Sequence, residues 1–175
     1  MQETTQQYIQ RILGNLDGKD PLKVQQETSR RLEKVVKQLG KSQLMRRPEA
    51  GKWSIAEILA HLADAELVAS WRMRLILGSN GVAIQAFDQD VWADKFQYAK
   101  RDPQVSLETF RLLRENNVRM LKALPKDSWE NYGMHQERGK ETIAHMVRMF
   151  AGHDLNHVLQ VENIAKEVRR KQKRS

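Results

Sequence analysis

The sequence predicts an all-α fold, a four-helix bundle with additional short helices, and three observations carry that prediction. Cap signals open long stretches of helical apolar spacing, no run of alternating apolar and polar residues marks a strand, and no internal repeat is present. Glu3 to Leu13 reads as a short helix packed outside the bundle, which makes residues 1–20 a peripheral N-terminal segment. Asp20-Pro21 is a cap followed by proline at the first helical position, and Leu22, Val24, Leu32, Val35, Val36 and Leu39 recur at helical spacing until Gly40. After the break at Pro48 to Gly51, Ser54 and Glu57 form a capping box, each able to satisfy an orphan amide at a helix start. The helix they open runs to about Leu77 and stops at Gly78-Ser79-Asn80-Gly81.

Val82 to Arg101 reads as a loop with a short helix, a long crossover between the second and third long helices. Asp102-Pro103 repeats the cap-plus-proline signal, and Leu107, Phe110, Leu113, Met120, Leu121 and Leu124 carry the third long helix to Pro125. An irregular stretch through Ser128, Asn131, Gly133 and Gly139 precedes the last pattern, Thr142 to about Val168. The whole reads as one domain over residues 1–175, with 166–175 a basic tail.

Composition narrows function by exclusion. The 175 residues contain no cysteine, so disulfides, a cysteine nucleophile, a Cys-ligated zinc site and an iron–sulfur cluster are all ruled out. The net charge of +8 suggests nucleic acid until it is located: residues 166–175 hold +5, and the remaining 165 residues only +3. A terminal basic run of this kind reads as a solvated end, and no helix-turn-helix signature or aromatic-basic interleaving supports a nucleic-acid partner. No apolar stretch of membrane-spanning length and no signal peptide is visible, so a cytoplasmic protein without a membrane partner is expected.

The chemistry concentrates in histidine. His153-Asp154-Leu155-Asn156-His157 places two imidazoles at i and i+4, roughly 5–6 Å apart on one helix face, a separation that allows both to ligate one metal ion. The stripe of Met146, Phe150, Val161 and Ile164 turns that face toward the interior. Two interior imidazoles need partners, which a shared metal or a set of carboxylates would supply. His145 lies about 80° away from His153 at 100° per residue and reads as a surface group. A third ligand must come from another helix, and His61 is the candidate, with Glu57 and Asp64 one turn to either side as carboxylates to orient it.

The segment Gly51 to Glu66 (GKWSIAEILAHLADAE), together with Ala151 to Gln160 (AGHDLNHVLQ), resembles the DinB-like superfamily, which includes the YfiT-type proteins. Phe87 to Trp92 and His135 to Gly139 extend the resemblance over most of the chain from Pro21 onward. The resemblance implies a four-helix bundle with a three-histidine metal site mapping onto His61, His153 and His157, with nickel or zinc as the usual occupant. Family members with assigned chemistry include S-transferases that use low-molecular-weight thiols, and maleylpyruvate isomerase. The implied activity is therefore a metal-dependent enzyme with S-transferase-type chemistry, or a hydrolase, acting on a small-molecule substrate. Any thiol must arrive from solution, because the chain has none.

Three other readings stand beside this one. His153 to His157 is one methylene short of the H-E-x-x-H protease motif, but no suitable further ligand follows it. A metal-stabilised bundle that acts without catalysis, by forming a homodimer or binding a partner, is the second, and nucleic-acid binding through the tail is the third. In the loop before the last helix, His135 and Arg138 are candidates for a proton-transfer group and an anion contact at the site mouth. Trp53, Phe87 and Trp92 read as core or loop anchors.

Overall fold

The computed structural model describes residues 3–172. Four long helices form the bundle: α2 (Pro21–Val36), α4 (Ile55–Gly78), α6 (Pro103–Lys122) and α7 (Ile143–Gln172), with α1 (Thr5–Gly14), α3 (Lys41–Leu44) and α5 (Gln89–Lys95) as short additions. The caps are those expected from sequence. The Asp20 carboxylate accepts from the Leu22 and Lys23 amides, the Asp102 carboxylate from the Gln104 and Val105 amides, and Ser54 and Glu57 bond reciprocally at the start of α4. α7 continues beyond Val168 to Gln172, so the first part of the basic tail is helical, and the rest of it lies outside the described residues.

α2 packs against α6 and α7, and α4 packs against the same two helices. Consecutive long helices α2 and α4 therefore stand diagonally across the bundle rather than side by side.

The expectation of irregular loops without strands is corrected. Three short strands, β1 (Val82–Ile84), β2 (Tyr132–His135) and β3 (Gly139–Thr142), form a sheet in the order β1-β2-β3. β1 pairs parallel to β2 with Ile84 opposite His135, and β2 and β3 form a hairpin in which His135 is opposite Gly139. Strands of three or four residues are too short to show a period of two, which is why their sequence reads as loop. Gly133 permits the pairing, because a Cβ there would lie 3.1 Å from Ile76 and closer still to Ile84.

The core has two large apolar clusters with a polar layer between them, and a smaller cluster of Leu16, Val24 and Ala151. One large cluster joins Leu32, Val36, Ile55, Leu59, Phe110, Val161 and Ala165; the other joins Met73, Ile76, Ile84, Leu121, Ile143 and Val147. Between them Arg114, 2% exposed, donates through one terminal nitrogen to Glu66 at 2.8 Å and to Asp154 at 3.0 Å. Thr28 donates to Asp154 at 3.1 Å and Asn117 to Glu66 at 2.7 Å, so this network reaches all four long helices. Removing two carboxylates and a guanidinium from water costs several kcal/mol per ion, and near-complete hydrogen bonding offsets it. Among the described residues no helix is long and apolar enough to cross a membrane.

Candidate metal centre

The three histidines occupy the same level of the bundle as the polar layer. His61 lies in the second turn of α4, and His153 and His157 face it from α7, one turn apart. The His153 Nε2 is 3.0 Å from the His61 Nε2 and 3.1 Å from the His157 Nε2, and the ligand atoms of all three lie within 4.8 Å of one another. A tetrahedral ion with bonds of 2.0–2.1 Å holds its nitrogens roughly 3.3–3.4 Å apart, close to this spacing.

Hydrogen bonding alone does not satisfy the arrangement. Each neutral imidazole offers one N–H and one lone pair, so the His153 Nε2 cannot serve both neighbours well, whereas a single cation takes a lone pair from each ring. Burial keeps the rings neutral: it pushes His61 down to about 3, His157 to about 4, and His153 well below the ordinary histidine value. The donor set therefore suits a divalent cation at neutral pH.

The surroundings depart from expectation at two carboxylates. Glu57 accepts from Ser54 and from Arg47, with the Arg47 Nε 3.0 Å from one oxygen. Asp64 accepts from the Tyr98 hydroxyl at 2.9 Å and from Arg101 at 2.8 Å. Neither reaches His61, whose buried Nδ1 has no hydrogen-bond partner among the described residues, and the Trp53 ring packs beside it at 5.1 Å. Trp53 thus anchors a site residue rather than core alone. Orientation by a hydrogen bond occurs at His157, where Gln160 Oε1 lies 3.1 Å from Nδ1 and directs the Nε2 lone pair toward the other two rings.

A cavity of about 350 Å³ opens beside the triad, lined by His61 and His153 and by Ala65, Arg72, Phe87, Arg138, Met149 and Phe150. Thr4, Thr5 and Tyr8 of the α1 segment close one side. α1 can approach because residue 152 is glycine; the Asn15 side-chain amide donates to its carbonyl at 3.2 Å, and Ile12 is buried against it.

Of the two loop residues, Arg138 lines the cavity, held by Glu141 with bonds of 2.6 and 3.0 Å. His135 is 3% exposed on β2 and is not among the lining residues; its Nδ1 accepts from the Glu137 amide at 3.2 Å. Phe87, expected as a core or loop anchor, contributes to the cavity wall and packs at a tilt against Trp92 with centroids 4.7 Å apart. Asp154 faces away into the Arg114 network, so it is not placed as a protease base. His145 is half-buried rather than a surface group. The sequence reading missed Arg72 and the α1 contribution. Arg72 lies eleven residues after His61, about 20° from it around the helix, so helical spacing signals it.

Comparison with known proteins agrees with the geometry. A "Putative metal-dependent hydrolase" of Oceanobacillus iheyensis is 24% identical over 141 residues, covering 81% of each chain. A protein of the same name from Bacillus cereus is 24% identical over 137 residues, covering 78% of this chain and 79% of its own. The solved structure of YfiT from Bacillus subtilis, described as "a probable metal-dependent hydrolase with an unusual four-helix bundle topology", superposes with a TM-score of 0.78 at 21% identity, covering 84% of this chain and 85% of that one. The family model described as the DinB superfamily matches residues 26–161, a span containing all three histidines, α4 and α6 entire and most of α2 and α7. A diagonally connected four-helix bundle with three converging imidazoles and a family match over most of its length, the chain belongs to the DinB superfamily.

Proposed function

We propose that this protein is a divalent-metal-dependent enzyme acting on small molecules, with His61, His153 and His157 as the metal ligands. The observation that carries the reading is the convergence of three neutral imidazole nitrogens beside a cavity that two of the rings, His61 and His153, line. Zinc or nickel suits an all-nitrogen set of this kind. Bound there, the ion supplies Lewis acidity and lowers the pKa of a water or thiol to near neutral. The chain's own part is to hold the rings neutral by burial, to fix the His157 tautomer through Gln160, and to exclude water with Phe87, Met149 and Phe150. Arg138, tied to Glu141, presents a positive charge at the cavity.

Hydrolysis is the reading favoured by the names of the relatives. Transfer of a low-molecular-weight thiol onto an electrophile is the second; as the chain has no cysteine, that thiol would enter the cavity beside the triad from solution. A homodimer would cover Leu67 and Trp71, one turn apart on α4 and 53% and 63% exposed.

The test pairs metal content with turnover. Elemental analysis of protein loaded with zinc or nickel should give about one ion per chain, and His157→Ala should lose it. The loaded wild type, offered ester and amide substrates with and without a thiol cosubstrate, should show turnover that His157→Ala lacks. Equal metal content in the two proteins refutes the ligand assignment, and thiol-independent turnover refutes the transferase reading.

A further inference from the structure

Arg72 lines the cavity and has no part in the metal chemistry. It is 5% exposed and lies on the same face of α4 as His61 and Ala65. Its one hydrogen bond among the described residues goes to the Gln85 carbonyl, and no carboxylate forms an ion pair with it. Glu137 and Glu141 favour its charge from further off, but Glu141 is already bound to Arg138. The centre of the Phe87 ring lies 5.7 Å from the guanidinium carbon, within cation–π range. Burial, reinforced by Arg138, pushes Arg72 down to about 10, so it remains charged at neutral pH while lacking a neutralising partner. A buried cation with free donors and no counter-ion is destabilising until an anion reaches it.

We propose that Arg72 is a substrate-binding residue that anchors the carboxylate of an elongated, partly apolar substrate lying in this cavity. The proposal rests on the reading that the cavity holds the substrate. Nη2 keeps a second hydrogen beside its bond to Gln85, and with a free neighbouring nitrogen it forms the planar fork that a single carboxylate fills; the one charge matches that anion better than a phosphate dianion. Eleven residues separate His61 from Arg72, about 16 Å along the helix axis at the backbone, and the arginine side chain leans back toward His61. The acid group is therefore a handle several bonds from the reacting centre, with Phe87, Met149 and Phe150 along the apolar portion between.

The experiment uses metal-free protein, so that coordination of the carboxylate to an ion cannot supply the preference. Titration calorimetry with 6-phenylhexanoate and its neutral amide, 6-phenylhexanamide, should show the wild type binding the acid at least about tenfold more tightly. Arg72→Met should bind the two alike. Arg72→Lys, which keeps the charge and is the safer variant for folding, should lose at least about fivefold of the preference because an ammonium lacks the fork. Equal binding of acid and amide by the wild type, or undiminished preference in either variant, overturns the proposal. Tighter binding of 6-phenylhexyl phosphate than of the acid overturns the carboxylate assignment. Zinc content of the wild type is read separately, so a protein that prefers the acid but takes up no zinc keeps this proposal and refutes the metal reading.

Discussion

Replacing Gly152 with alanine sets two physical effects against each other, and the structure decides the sign. Gly152 lies within α7, where helix propensity alone makes alanine more stable by about 1 kcal/mol. A Cβ at this position, however, would lie 2.8 Å from the carbonyl carbon of Ile12 and closer still to its oxygen. Backbone cannot rotate aside as a side-chain tip can, so α1 must move outward by roughly 1 Å or more to restore contact distance. That movement exposes Ile12, now 1% exposed, whose burial contributes about 2–3 kcal/mol, and it strains the Asn15 bond to the Gly152 carbonyl. The net expectation is a loss of about 1–2 kcal/mol, with α1 loosened while the bundle persists. Urea unfolding followed by circular dichroism measures the first effect, and the rate of limited proteolysis within residues 3–20 the second. A variant as stable as the wild type, with unchanged proteolysis, refutes the tight seating of α1 on α7.

Arg114→Leu strands Glu66 and Asp154 as buried carboxylates, and urea unfolding should show a loss of about 3–5 kcal/mol; a loss below about 1 kcal/mol would mean the network is not closed as described. Gln160→Ala removes the acceptor that fixes the His157 tautomer, so affinity for zinc, measured by competition with a chromophoric chelator, should fall about 10–100-fold, and unchanged affinity would remove Gln160 from the site. Metal-free protein should lose stability as pH falls. Unfolded histidines titrate near 6.5 while His61 is held at about 3 and His157 at about 4, so below 6.5 the unfolded chain takes up protons that the native one refuses. His153 acts in the same direction, and each of the three contributes up to about 1.4 kcal/mol per pH unit. Urea midpoints that stay constant from pH 7 to pH 5 would show that the rings are not buried neutral.

What was legible in the sequence was local. Asp20-Pro21, Ser54 with Glu57, and Asp102-Pro103 act within one helical turn, and their caps form as read. His153 and His157 share a helix, so spacing alone places them together. The Arg114 network joins residues 48 and 40 positions apart, and nothing in a helical period distinguishes a glutamate that faces an arginine across the core from one that faces solvent. Glu57 and Asp64 show the converse error. Both lie about one turn from His61, but Arg47 and Arg101 bind them from outside α4, and a charged donor outcompetes a neutral imidazole for a carboxylate. Arg72 shares the helical spacing of His61, but a lone arginine on an apolar helix carries no motif.

The pairing of β1 with β2 has a mechanical consequence. β1 belongs to the connection entering α6 and β2 to the connection leaving it, and the Gly81 amide donates to the Tyr132 carbonyl at 2.7 Å while the Gln136 amide donates to the Ile84 carbonyl at 3.1 Å. The seam closes α6 into a loop of about fifty residues whose two ends are fastened to each other. Phe87 follows one strand of that seam and Arg138 the other, so two parts of the cavity rim that are distant along the chain share one frame. They shift together or the seam breaks, and amides at its centre should exchange with solvent as one cooperative unit.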